Sequence, residues 1–395
     1  MTMTQTQGGQ EAGRPQPQTT TEAGGGPFIR STQPGNLPQF VTPSAFGGLV
    51  QQPLVARPGY YRDFRLLFTG QSGSGATTVA STADGIYAIA ALIQFKDPFG
   101  TLIFSVPSFE AALIGVHSGG AGCGLGLRSL QSGMPSFAAM VVGASASGNF
   151  QWPLTLPLEF AKGIGTSPGA NAALQPTLTI QLNPASSIYS TAPTVPPSLV
   201  VGCESDFYWL PEGNDVAPPA LGTSRQWILQ QANPPISSGG NQRAAFPRLG
   251  GYLDTMIIEL RDSAGARVAG FPIATIPGTA GGRFTLYIDG VPIEDTPMWK
   301  LYDDYFITYG NNCASGTLAT NPLLGTYTFS RKTSLNQETN GLLDTAEATL
   351  STNPGTLIEI AGSPWGTIGA SPATVNVIVG QIVPRGRMVQ GLPEI

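Results

Sequence analysis

Two stretches of this chain carry one strand–turn–strand pattern, and that pattern restricts the fold more than any other feature. Residues 85–104 run Gly85-Ile-Tyr87, an apolar stretch to Phe95, Lys96-Asp97-Pro-Phe-Gly100, then Thr101-Leu-Ile-Phe104. Residues 250–269 run Gly250-Gly-Tyr252, an apolar stretch to Leu260, Arg261-Asp262-Ser-Ala-Gly265, then Ala266-Arg-Val-Ala269. The offset is constant, 262 − 97 = 165. Apolar runs rich in β-branched and aromatic residues suit buried strands. Asp97 and Asp262 open tight turns, because a short carboxylate accepts a backbone N–H two residues on. Gly100 and Gly265 close them in the left-handed conformation that a return strand needs. The cation before each Asp reads as a solvated charge at the strand edge. Asp-x-x-Gly alone also fits two unrelated hairpins. The Gly-x-Tyr upstream of each turn favours a duplication, in which Asp97 superposes on Asp262 and Gly100 on Gly265.

A duplicated β unit asks for two domains, and 395 residues hold two at roughly 150–200 each. Charged residues make up 11% of the chain, against about 25% in ordinary globular domains. Much of the surface therefore meets partners or belongs to long neutral loops. Short apolar runs broken by Gly, Pro, Ser and Asn clusters indicate an all-β sandwich or barrel class, and 41% hydrophobic residues exclude disorder throughout. A net charge of −5 supplies no basic field, so no direct nucleic-acid binding is expected. No apolar run reaches the roughly 18–20 residues that span a bilayer. The first residues have neither a cationic start nor an apolar core, which argues against a cleaved signal peptide. Cys123, Cys203 and Cys313 form no Cys-x-x-Cys pair, and their odd number gives no disulfide framework.

In chain order, residues 1–57 read as a polar, low-complexity arm, with Phe28, Ile29, Phe40, Val41 and Phe46 as its docking points. The first domain spans 58–210. Its strands are expected near 61–69, 77–80, 137–142, 149–154, 176–182 and 198–210 beside the hairpin, with a short helix near Ser108 to Leu113. Thr177-Leu-Thr-Ile-Gln-Leu182 alternates with the period of two of a half-buried strand. Residues 211–222 form a linker, 223–387 the second domain and 388–395 a tail. Strands are expected at 225–229, 283–289, 327–329, 346–350, 356–360 and 374–383. A helix is expected over 297–306, capped by Thr296, with Trp299, Tyr302 and Phe306 on one face.

Candidate chemistry is sparse. Gly70-Gln-Ser-Gly-Ser-Gly75 follows a strand, but Ala76 stands where a phosphate loop needs Lys. Gly165-Thr-Ser167-Pro168-Gly169 matches a nucleophile elbow by letter, yet Pro168 lacks the N–H that such an elbow gives to its oxyanion hole. His117 is the single histidine, placed in a Gly-rich loop, so a Ser-His-Asp site would have to use it and a two-histidine metal site within one chain is excluded. Glu294-Asp295 and Asp303-Asp304 are adjacent acids that point apart, and the first pair suits a helix start. Tyr208-Trp209 and Trp299 with Tyr302 read as core aromatics. No catalytic residue, metal or cofactor is expected.

Two consecutive eight-stranded β domains, each with a strand–Asp-x-x-Gly–strand hairpin, resemble the double jelly-roll major capsid proteins of tectivirus-type, membrane-containing phages. The segment from Phe284 to Gly310 is similar too: a strand ending in Asp-Gly, an acidic turn, then an expected aromatic-rich helix ending in Tyr309-Gly310. The resemblance covers about residues 58–387. It implies two jelly rolls, a homotrimer forming a pseudo-hexagonal capsomer in a virion shell, and an arm lying toward an internal membrane. Penton or vertex proteins are further implied partners. The chain departs from the family in its Gly and Pro content and in long loops near 115–135 and 310–345. A carbohydrate-binding or spike module of a virion and a double-β-sandwich hydrolase are the other classes open to it.

Overall fold

The structure is a computed structural model that describes residues 33–75, 82, 84–117, 149–159, 165–169, 174–191, 193–209, 223–231, 243–246, 252–262, 265, 267, 283–297, 300, 326–330, 350–351, 356–363 and 374–384. The first domain is built from β1 (Gln33–Ser44), β2 (Leu49–Pro53), β3 (Gly59–Gln71), β4 (Ala90–Lys96), β5 (Leu102–Val106), helix α1 (Ser108–His117), β6 (Asn149–Pro157), β7 (Ser167–Pro168), β8 (Thr177–Leu182) and β9 (Leu199–Trp209). β1 pairs with β9, β2 with β8, β3 with β6, and β4 with β5. This nested pairing of first with last is a jelly roll. Its sheets run β1-β9-β3-β6 and β5-β4-β8-β2, with β7 beside β3. Alternation explains the core. Phe64, Leu66 and Phe68 of β3 and Trp152, Leu154 and Leu156 of β6 point inward and are buried, whereas Arg65, Leu67 and Thr155 point out.

β1 and β2 lie within the stretch expected to be an arm. That boundary is corrected: the first jelly roll begins at Gln33. β1 is held by a ladder to β9 from Gln33↔Trp209 to Ser44↔Leu199, and it buries Leu37. Pro34, Pro38 and Pro43 are tolerated because β1 is an edge strand, where a missing N–H need not break a ladder. Residues 77–80 and 137–142, expected as strands, lie outside the described residues, as do Cys123, Cys313, residues 211–222 and the tail. α1 is longer than expected and ends on His117, which is therefore helical and not in a loop.

The second domain repeats the plan with β10 (Thr223–Gln231), β11 (Arg243–Phe246), β12 (Tyr252–Arg261), β13 (Arg283–Ile288), β14 (Val291–Pro297), β15 (Thr326–Ser330), β16 (Leu350–Ser351), β17 (Ile358–Ser363) and β18 (Thr374–Pro384). β10 pairs with β18, β11 with β17, β12 with β15 and β13 with β14. The same nesting makes a second jelly roll. Thr296 and Pro297 end β14 instead of opening a helix, since Thr296 pairs with Phe284. Of residues 298–306 only Lys300 is described, and it is helical as expected; the rest of that expected helix lies outside the described residues. Asp289 and Gly290, both at positive φ, form the two-residue turn of the β13–β14 hairpin.

The nesting also corrects the internal register. Asp97 lies between β4 and β5, the fourth and fifth strands of the first roll. Asp262 follows β12, the third strand of the second. The hairpin equivalent to β4–β5 is β13–β14. Both carry a one-residue bulge, at Ile103 in β5 and at Ile293 in β14, which gives an offset of 293 − 103 = 190. The two rolls also join edge to edge. β5 pairs in parallel with β10 at Phe104 and Trp227, so one sheet runs β15-β12-β18-β10-β5-β4-β8-β2.

Candidate functional site

The junction between the rolls holds a buried ionic network. Alternation along β12 puts Ile257, Glu259 and Arg261 on one face. Ile257, Ile378 and Trp227 belong to the same buried cluster as the core of the first roll, so that face of the second roll packs against the first. The first roll answers with α1 and the turn at Asp84. Ser108 opens α1, and its hydroxyl accepts from the Ala90 N–H at 2.9 Å and donates to the Tyr87 carbonyl at 2.6 Å. This fixes Glu110, two residues on in the first turn of α1, facing the junction.

Arg261 Nη1 donates to Asp84 Oδ2 at 2.8 Å and to the Gly265 carbonyl at 2.9 Å. Its Nη2 lies 3.6 Å from Glu110 Oε1, and its Nε contacts Glu259. Arg267 Nε contacts Asp84, and its guanidinium sits 4.4 Å from the Phe109 ring centroid. Three carboxyl groups thus meet two guanidinium ions; one bound proton makes the set neutral. Burial pushes the Glu259 carboxyl well above its ordinary value, and the Glu110 carboxylate pushes it further. Burial also raises Glu110, which lies within hydrogen-bonding reach of Glu259. The cluster is a tie between domains. Arg261 was expected to be a solvated edge charge and is instead its centre. The sequence signal for it was Glu259, a carboxylate inside the run Met256-Ile-Ile-Glu-Leu260 whose every member is buried.

The turn residues have the expected local geometry at non-equivalent places. Asp97 is buried, and its Oδ1 accepts the N–H groups of Phe99 at 2.9 Å and Thr101 at 2.8 Å. The Gly100 N–H donates to the Asp97 carbonyl at 2.9 Å, and the Gly265 N–H to the Asp262 carbonyl at 3.0 Å. Gly100 and Gly265 have φ of 82° and 81°. After Asp262, among the described residues, the return is the bridge that sets Arg267 opposite Arg261.

The other candidates are not brought together. Ser167 lies in β7 opposite Tyr61 and is 2% exposed. Gly70 belongs to β3, and a Cβ there would come within 2.0 Å of the Ser198 carbonyl oxygen, so this glycine admits a neighbouring strand and not a phosphate. Glu294 and Asp295 sit in β14, not at a helix start. Asp295 accepts from Arg283 Nε at 3.0 Å, which holds it below the usual carboxylate range. Tyr208 donates to Glu159 at 3.0 Å, and Trp209 lies edge-on to Phe207. Asp303, Asp304, Trp299 and Tyr302 lie outside the described residues. Among the described residues no group of three metal-ligating side chains is found.

A second region is the outer face of the sheet β6-β3-β9-β1. Across it run Pro153, Leu67, Gly202 and Val41 in register, and Val41 is 76% and Leu67 40% exposed. On the same face, beyond the Arg65–Glu204 pair that follows this row, Asp63 pairs directly with Asp206. Like charges opposite each other on a sheet are destabilising. Burial and then the Asp206 charge push Asp63 up to about 6, while Arg65 bonds Asp206.

No protein-family model matches the chain, and no curated protein matches it in sequence. Solved structures do match in fold. The crystal structure of the STIV major capsid protein superposes with a TM-score of 0.60 at 15% identity, covering 91% of this chain and 100% of that one. The capsid protein in the atomic structure of Sulfolobus Turreted Icosahedral Virus gives 0.59 at 15% identity, covering 92% and 94%. That of the PBCV-1 virus capsid gives 0.56 at 12% identity, covering 89% and 93%. At these identities the likeness is one of fold, and the fold of this chain is the double jelly roll of viral major capsid proteins.

Proposed function

We propose that this chain is the major capsid protein of an icosahedral virion and forms homotrimers whose six jelly rolls make a pseudo-hexagonal capsomer. The observation that carries this is the pair of jelly rolls of identical strand nesting, fixed side by side by a shared sheet and a buried ionic tie. Two like walls per chain let three copies close around a threefold axis, a symmetry that also tiles. The low charge content supports it, because such a surface can be buried without stranding ions. The chain also spans nearly the whole length of the capsid proteins that it resembles in fold.

In this reading the turns at Asp97–Gly100 and Asp262–Gly265 are structural. Residues 1–32 form the arm, directed to neighbouring capsomers or an internal membrane, 211–222 the linker and 388–395 the tail. Penton or vertex proteins are the further partners. The protein acts in the virion shell and carries no catalytic site.

Gel analysis of purified particles tests the role. A shell protein is the dominant band, whereas a scarce band would indicate a spike. Native mass measurement tests the assembly, with 3 × 41.0 = 123 kDa expected. A stable monomer at assembly concentrations would overturn the capsomer.

A further inference from the structure

The two rolls are joined at two levels. β10 runs parallel to β5, and β18 lies antiparallel between β10 and β12, so β12 runs the same way as β5. All three strands finish at one end of the shared sheet. Among the described residues the ladder between the rolls is two pairs long, Trp227 opposite Phe104 and Ile228 opposite Ser105. Trp227 is fully buried there with its ring against Gly380, where a Cβ would come within 2.7 Å. So short a ladder leaves room for rotation about it.

The second level is the ionic network, and it lies at the end where the strands finish. Asp84 precedes β4, Glu110 follows β5, and Glu259 and Arg261 close β12. Glu110 and Glu259 are both buried, and no described donor bonds Glu110 Oε2 or Glu259 Oε2. The charged groups acting on Glu259 are Glu110 from α1, Asp84 from the turn before β4, and Arg261 and Arg267. In its own sheet it is flanked by Thr326 of β15 and Asn376 of β18, neither of which titrates. Tyr87, beside Arg267, is pushed up to about 12 by burial and stays neutral. A proton between the two glutamates balances the set against its two guanidinium ions. Without that proton two buried carboxylates oppose each other, with oxygens that nothing satisfies.

We infer that the junction is a proton-operated latch: with one proton shared between Glu110 and Glu259 the two rolls are locked as one body, and release of that proton to water lets them part at this end by rotation about the Trp227–Phe104 ladder. The latch belongs to the single chain and does not depend on the shell reading. Its direction follows from burial. The closed junction holds the proton above the ordinary carboxyl value of 4.5, and the opened, hydrated one does not. Opening therefore releases one proton, and the latch weakens as pH rises from 4.5 toward the raised closed value. The pivot residues Phe104, Ser105, Trp227 and Ile228 carry no group that titrates in this range.

Hydrogen exchange of the full-length protein, read by mass spectrometry from about pH 5 to pH 8 and corrected for the intrinsic rate, tests it. Protection of peptides covering Ser108–His117 and Tyr252–Arg261 should fall with a limiting slope of about tenfold per pH unit. Peptides covering Leu199–Trp209, inside the first roll, should keep theirs. Glu259→Gln needs no shared proton and should hold the junction protected at every pH. Glu110→Gln, which removes the other half of the pair, repeats the test, and far-UV spectra check that both variants fold. Asp63→Asn, which removes the raised carboxyl on the outer sheet face, should keep the wild-type slope. Infrared spectra of the wild type minus Glu259→Gln should show a protonated carboxyl band that disappears over the same pH range. Junction protection that is independent of pH in the wild type overturns the latch. So does a wild-type slope in both glutamine variants, or an equal loss in Leu199–Trp209, which would mean that the whole chain unfolds.

Discussion

Arg261 donates to Asp84 at 2.8 Å across the boundary between the two jelly rolls, and the same guanidinium touches Glu259 of its own strand. One side chain therefore neutralises carboxylates from both domains in a site that water barely reaches. Removing one partner of such a buried set costs more than the set contributes, because the remaining charges are stranded. Arg261→Ala should destabilise the chain by about 3–5 kcal/mol in denaturant unfolding. Arg65→Ala, whose partner Asp206 lies on an open sheet face, should cost at most about 1 kcal/mol. Equal losses would show that the junction is not the stronger tie.

The proton held by the network predicts a pH dependence. Glu259 binds a proton more tightly when folded than when unfolded, because burial and Glu110 raise it above the ordinary 4.5. The folded state therefore loses stability as pH rises from 4.5 toward the raised folded value. Thermal unfolding from pH 5 to 9 should show a Tm that falls with pH, and Glu259→Gln should flatten the profile. A Tm that rises over that range in the wild type, or an unchanged slope in the variant, would contradict the shared proton.

Truncation should separate the arm from the first roll. A chain starting at residue 33 keeps all of β1 and should unfold at the wild-type temperature. A chain starting at residue 46 lacks β1, which uncovers the edge of β9 and the buried Leu37 contacts. It should aggregate or melt well below the wild type in calorimetry. Equal stability of the two would mean that β1 is dispensable.

At the first hairpin the buried Asp97 side chain accepts two backbone N–H groups that water cannot replace. Asp97→Ala should cost about 1–3 kcal/mol. Gly100→Ala meets no neighbour within 4 Å and is strained only by its φ of 82°, so about 1–2 kcal/mol is expected. Gly100→Asn, which tolerates that conformation, should recover part of this loss. Chemical denaturation resolves the three, and an undiminished loss in Gly100→Asn would count against backbone strain as the cause.

The sequence by itself determined several strands and the local form of the Asp-x-x-Gly turns. Thr177–Leu182 alternates because one face meets the core, and Asp97 with Gly100 closes a turn through bonds spanning five residues. Each depends on neighbours in the chain, so local chemistry suffices. The tertiary structure alone decided which strands correspond. An Asp-x-x-Gly turn recurs wherever a chain reverses, so it led to an offset of 165, whereas nested pairing equates the bulges at Ile103 and Ile293 at an offset of 190. Residues 33–44 look like a continuing arm because they hold three prolines and few large apolar residues; the ladder to β9 makes them a strand. Glu294-Asp-Thr-Pro297 looks like a helix start until β13 pairs with it. Arg261 looks solvated until Asp84 and Glu110, distant in the chain, arrive beside it. In each case the deciding partner lies on another strand, helix or turn, and which element arrives alongside cannot be read from the residues on either side.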